Sequence, residues 1–407
     1  MKTLARAALA SEQLIPEVKA FIGRRQEWEY RRLARALRLG ADPARAYERL
    51  ARRPRPFDHP APLWETSDGA ERSVMAEAWQ PFAERVADLR SDRVLRGTPT
   101  RYEDPERYPR LALIFDEVQE ALAERGGPSA PPAVLATLPS GDVDARVMIE
   151  PATRTPVVFF EQGLFSFLHD FVLATGWAAP PLSPRQLSDD AALVRLPRRC
   201  AMPPEALLFV ESLLAYVVDG TPTATRRAIP RPADNRFAVE ALLGQMKRFV
   251  MAHELAHIAG GHVNGRRDER QEHDADASSL DFVTTRTLED LGSWAIGFWA
   301  CELVLIALNF LYRALGILAF GPRKLLWIDD THPEPLRRRE RLRAAWRDRE
   351  APPLGVAAAR ELSVMTDALF QRLWDMTLPA VVTSYEQGAR PSPMWQEMID
   401  SRLIPRV

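Results

Sequence analysis

Cysteine is nearly missing from this chain: Cys200 and Cys301 are the only two, about a hundred positions apart. That excludes a disulfide scaffold and a cysteine-cluster metal site, and it suits a reducing compartment. Lysine is scarce as well, four residues against fifty arginines; coding bias accounts for this and no function is drawn from it. A net charge of one sign is also lacking, because 54 basic residues face 55 acidic ones, so overall charge does not point to nucleic acid. There is no glycine-rich phosphate loop, no serine or cysteine nucleophile signature and no internal repeat. The apolar stretch near Met1 is broken by Arg6 and closed by Ser11-Glu12-Gln13, too short for a secretory leader. The final residues, Leu403 to Val407, carry no lipidation signal. The expected location is the cytoplasm.

The 407 residues allow two or three domains at about 150 residues each. An apolar share of 46% and a charged share of 27% are ordinary for a globular chain and exclude a many-spanning membrane protein. Residues 12–53 have a helical stripe of Phe21, Ile22, Trp28, Leu33 and Leu37. Residues 1–60 hold fourteen Lys/Arg and seven Asp/Glu, a balance of +7, which leaves −8 for the rest of a chain whose total is −1. This region reads as a solvated helical face or as a docking face for a regulatory partner. Prolines 54, 56, 60 and 62 make 51–70 a linker or extended segment. After a helical 110–125 and the Pro/Gly-rich 126–132, the β-branched and aromatic runs 146–150 and 156–161 predict a β-hairpin. Helices are expected over 163–175 and 204–218, with Asp234 as the N-cap of another.

The stretch 291–320 carries only Glu302 and Arg313 as charges. A charge near the centre of a span costs about 2.5–3.5 kcal/mol on insertion scales, so two buried core helices are expected here instead of a membrane helix. Glu302 and Arg313 are candidates to pair in the interior.

The chemistry lies in residues 235–259. Leu242, Met246, Phe249 and Val250 form a core stripe at steps of three and four, and the stripe continues into His253 and His257. The segment His253-Glu254-Leu255-Ala256-His257 is H-E-x-x-H. Imidazoles four residues apart lie on one helix face and can both reach one zinc ion at about 2.0–2.1 Å. Glu254 then sits beside the metal, where it can take a proton from a water made acidic by zinc and pass it to a leaving amine. A catalytic zinc needs a third protein ligand and an open position. His262 is one residue short of the metzincin spacing, where Val263 stands. Glu272 on a second, antiparallel helix is the better candidate. Asp276, one turn further on, would hydrogen-bond a liganding imidazole. Asp274 and His273 point to other faces. His59 and His169 read as structural, and Cys301 as an inert buried thiol.

H-E-x-x-H followed by Glu272-x-x-Ala275-Asp276 resembles the gluzincin metallopeptidases, in particular the group of the CAAX prenyl protease and its soluble bacterial relatives. His262 is similar to a histidine that often follows the active-site helix in that group. Thr331-His332-Pro333 with a trailing arginine resembles its Thr-His-Pro segment. The arginine is Arg337, Arg338 or Arg339, and spacing to Leu342 favours Arg338. The resemblance covers about residues 234–342 and implies that His332 lies near the zinc, where it stabilises the oxyanion or caps the resting metal, and that Arg338 helps to stabilise the oxyanion. A weaker similarity is to the phage-exclusion protease Lit.

The expectation is a mainly α protein with a small β-hairpin or sheet (α+β). It comprises a helical, basic region 1–125, a zincin-like domain 140–345 and a helical extension 346–407. It would bind one zinc through His253, His257 and Glu272, use Glu254, His332 and Arg338 in catalysis, and place Asp276 and His262 behind the ligands. The partners expected are a peptide or protein substrate and a regulator on the basic region, with no nucleic acid; a membrane-anchored protease using 291–320 is a further alternative to the buried-core reading. An inert zincin-like binding protein and a zinc hydrolase of small molecules are the alternative readings.

Overall fold

A computed structural model describes residues 16–37, 100, 102–103, 108–124, 132–138, 143–198, 200–219, 229, 231–263, 269–322, 334–345, 351–393, 395–396 and 399. They are mostly helical, with one small mixed sheet. In chain order the elements are α1 (Pro16–Leu37), α2 (Tyr108–Glu124), β1 (Val134–Leu138), β2 (Ala145–Ile149), β3 (Pro156–Glu161) and α3 (Gln162–Ala178). Next come the single turns α4 (Pro184–Leu187) and α5 (Asp190–Leu193), then α6 (Pro204–Leu214), which runs into a π-helical turn Ala215–Asp219. The last five are α7 (Arg236–Ala259), α8 (Glu269–Leu291), α9 (Trp294–Phe320), α10 (Pro335–Ala345) and α11 (Pro353–Glu386). The chain divides into two compact units, Met1–Leu164 with Met251–Gly265, and Phe165–Val250 with Arg266–Val407.

The first unit contains the sheet, in the order β1-β3-β2. The expected hairpin is β2 antiparallel to β3, with Val147 opposite Val158. Its turn is closed by Glu150, whose carboxylate accepts from the Thr153 amide and hydroxyl at 2.6 and 2.7 Å. The parallel partner β1, which pairs Leu135 with Val158, had no hairpin turn to announce it. β3 is buried at all six positions, as a central strand covered on both faces should be. Val18 and Ile22 of α1 pack on Ala136, Leu138, Val157 and Phe159. Gln26 of α1 donates to the Thr137 carbonyl at 2.6 Å and to Glu103 at 2.5 Å.

The second unit is built on α9, which packs against α8, α10 and α11. Ser293 caps its first turn by accepting from the Ile296 amide at 3.2 Å, and Ser293 donates in turn to Asp190 at 2.5 Å. Gly321, at φ 89°, ends the helix. The two core helices expected over 291–320 are therefore one uninterrupted helix. Eleven residues of helix separate Glu302 from Arg313 by about 16 Å of rise, so they cannot pair. Instead Arg313 lies over the Trp374 ring at 4.0 Å. Glu302, fully buried, accepts from Arg339 Nε at 3.1 Å, Arg343 Nε at 2.5 Å and Ser363 Oγ at 2.6 Å. Among the described residues α9 is the one helix long and apolar enough to cross a membrane, and 72% of its most apolar window is buried within the protein. α8 approaches it closely at Gly297: a Cβ there would fall 2.7 Å from Thr287 Oγ1 and 2.9 Å from Thr284 Cα.

On α2, burial and then the neighbouring Glu120 push the Asp116 carboxyl up to about 7. A carboxyl whose folded pKa exceeds its unfolded value stabilises the fold fully below the unfolded pKa and loses that contribution as pH rises through the folded one. Asp116→Asn should therefore raise Tm at about pH 8, with the difference closing below about pH 4. Thermal melts across this range check it; a difference that does not vary with pH would contradict it.

Candidate metal centre

α7 is buried around most of its circumference, so its polar residues need partners. Its start is fastened by Asn235, which directly precedes the first helical residue; the N-cap expected at Asp234 falls one position too early. The Asn235 side chain accepts from the Leu182 amide at 2.7 Å and donates to the carbonyls of Gly176 and Ala179 at 2.6 and 3.2 Å. Gly176 lets α3 close on α7, because a Cβ there would meet Val239 Cγ2 at 2.5 Å.

The end of α7 determines the surroundings of His257. The Gly261 amide donates to the Ile258 carbonyl at 3.1 Å, and the His262 amide donates to the His257 carbonyl at 2.9 Å. With Gly261 at φ 70°, this is a Schellman termination. It folds the His262 ring back towards His257, and their Nδ1 atoms lie 3.3 Å apart. Gly260 supplies the room, since a Cβ on it would fall 2.6 Å from the His262 ring. The two glycines thus have separate jobs, one conformational and one steric.

His253 and His257 face each other with Nε2 atoms 3.1 Å apart. Two donors about 2.0–2.1 Å from one tetrahedral ion stand roughly 3.3–3.4 Å apart, so the pair is spaced for a shared metal. The ligand atoms of His253, His257 and Glu272 all lie within 4.8 Å of one another, and all three residues are buried. Glu272 and His257 are 0% exposed, His253 7% and Glu254 4%. Two imidazoles and a carboxylate suit zinc and also iron(II). Were His257 Nε2 to hold a metal, its Nδ1 would be left to meet His262, a contact that would orient the ring.

The remaining residues sort as follows. His262 is the residue whose ring meets His257. Both Asp276 oxygens bind Arg338, from Nε at 2.8 Å and Nη2 at 2.7 Å. Arg338 Nη1 stands 3.6 Å from Glu272 Oε2. Burial works against this guanidinium's charge, but Asp276 and then Glu272 outweigh it and raise its pKa above the ordinary arginine value. Of the three candidate arginines, Arg337 is exposed and Arg339 goes to Glu302. His273 pairs with Glu269 at 3.3 Å, and Asp274 with Arg270 at 3.8 Å, on the outside of α8. His169 is buried beside Asp170 at 3.7 Å. Burial raises the Cys301 thiol well above its usual range, which leaves it protonated and inert. His332, His59 and the segment 51–70 lie outside the described residues. The gluzincin resemblance placed His262 behind the ligands; the pair Gly260-Gly261, which reads first as a helix stop, carries its contact with His257.

No protein-family model, no curated protein and no solved structure matches this chain.

Metal analysis should find one equivalent in the wild type and none in His257→Ala or Glu272→Ala. Stoichiometric metal in Glu272→Ala would remove that residue from the ligand set. Gly260→Ala should displace the His262 ring and weaken metal binding by about tenfold, the size of effect that supporting contacts have on liganding histidines; unchanged affinity would detach His262 from the site.

Proposed function

We propose that the protein is a zinc-dependent endopeptidase of zincin-like type. The observation that carries this reading is the convergence of buried His253, His257 and Glu272 within 4.8 Å, with Glu254 next in sequence to the first of them. A zinc ion there would act as a Lewis acid and make a water acidic near neutral pH.

The chain's own groups do the rest. His253 and His257 present neutral imidazole nitrogens from one helix face, and Glu272 supplies one negative charge. His253, His257 and Glu272 would hold the metal and leave it one position open, as a hydrolytic site requires. Glu254 stands one residue on from His253, about 100° round the helix, beside the ligands and not among them. Its carboxylate takes the proton of the attacking water and returns it to the leaving amine. His332 keeps the role of oxyanion donor that the gluzincin resemblance implies. An extended peptide would be recognised by main-chain hydrogen bonds to an exposed strand. β2 suits this, because it sits at the edge of the sheet.

The near-complete burial of the three ligands favours a second reading, a closed metal site that serves binding or regulation without hydrolysis. Glu254→Gln separates the two. In the peptidase this variant holds metal like the wild type but loses about 10²- to 10⁴-fold in kcat/KM, measured on denatured casein or a mixed fluorogenic peptide set. If both proteins bind zinc and behave alike in every such assay, the catalytic reading is wrong.

A further inference from the structure

We propose that Arg338 is a positioning residue that holds Glu272 as a metal ligand, and that Glu302, through Arg339 and Arg343, sets the helix that carries it. The inference rests on Glu272 being a ligand, as proposed above, and reassigns Arg338 from the oxyanion to the support of the metal site.

The argument begins with α10, whose sequence is PLRRRERLRAA; Pro335, Arg338, Arg339 and Leu342 are its buried residues. A helix this polar has little apolar surface with which to attach itself, so ion pairs must hold it. Successive helical residues point about 100° apart, which lets Arg338 and Arg339 serve different neighbours. Arg338 turns to α8 and grips Asp276 in a two-point pair at 2.8 and 2.7 Å. Arg339 turns to α9 and donates to Glu302 at 3.1 Å, and Arg343, one turn later, donates to the same oxygen at 2.5 Å. Both also pair with Asp367 of α11. α10 is therefore fixed to α8, α9 and α11 at once.

Asp276 lies one helical turn beyond Glu272, so the grip on Asp276 brings Nη1 of the same guanidinium to 3.6 Å from Glu272 Oε2. That is ion-pair range and too long for a hydrogen bond. The charge attracts and orients the carboxylate without itself using an Oε2 lone pair, so the group can still donate to a metal. With Nε and Nη2 committed to Asp276, Arg338 is poorly placed to reorient toward a developing oxyanion. A planar fork that meets one carboxylate in two places and a second in one is a task for Arg and not for Lys.

The test uses the full-length protein and two readouts apart from turnover: zinc affinity by competition with a chromogenic chelator, and the visible spectrum of the cobalt(II)-substituted protein. Arg338→Gln should weaken zinc by about 10- to 100-fold and alter the cobalt bands. Arg338→Lys should recover part of the affinity, and Glu302→Gln should cost about threefold. Arg337→Gln, on the exposed side of the same helix, should match the wild type. If Arg338→Gln keeps wild-type zinc affinity and cobalt spectrum while kcat falls, the inference is overturned and Arg338 returns to the oxyanion. Should Arg338→Gln fail to fold, Arg338→Lys decides by the same readouts, and wild-type affinity in it overturns the inference. A wild type that binds no zinc overturns this inference together with the reading beneath it. A wild type that binds zinc but cleaves no peptide overturns only the peptidase reading, and the order of affinities still decides the role of Arg338.

Discussion

Glu272, Asp276 and Glu302 are all removed from water on the adjoining helices α8 and α9, and much of the second unit answers to that charge. A buried carboxylate left alone is costly; it persists where a cation and hydrogen bonds compensate it. Glu302 has two arginines and a serine, and Asp276 has the fork of Arg338. Glu272 shares that arginine at longer range and stands within reach of two imidazole nitrogens. The proposal of a resident metal rests on the close approach of His253, His257 and Glu272 and on the H-E-x-x-H spacing.

Helix termination supplies the second constraint. Where α7 stops decides where His262 goes, because the Schellman bonds tie the His262 amide to the carbonyl of His257 itself. The supporting imidazole is thus delivered by backbone geometry, and its ring occupies space that any side chain on Gly260 would take. At the other end, Asn235 and Gly176 fasten the first turn of the same helix. The candidate ligands His253 and His257 sit on a segment anchored at both ends, which suits a site whose donors must be held to within fractions of an ångström.

Much of this was legible in the chain. The stripe Leu242, Met246, Phe249, Val250, His253, His257 gave the helix and the side the imidazoles face, because a step of three or four residues means one face wherever the helix lies. The spacing from Glu272 to Asp276 likewise gave two carboxylates on one face of α8. The run 146–161 gave a hairpin, since its turn is local. Partners distant in sequence were not legible. Glu302 was matched to Arg313 because both stand in one apolar run, yet one continuous helix sets them far apart and the real partners come from α10. The two-point pair of Asp276 with Arg338 had no signal in the chain either. β1 pairs in parallel with β3, and a parallel pair has no turn signature.

What the sequence determined by itself is therefore the set of groups and their faces: two imidazoles and a glutamate on one helix, two acids on the next, and arginines on a third. Periodicity within a helix depends only on local backbone geometry. Tertiary structure alone decided which acid meets which base. Arg338 and Asp276 are 62 positions apart, and Arg339 and Glu302 are 37 apart, and pairing at such separations depends on how whole helices pack, which no local pattern records.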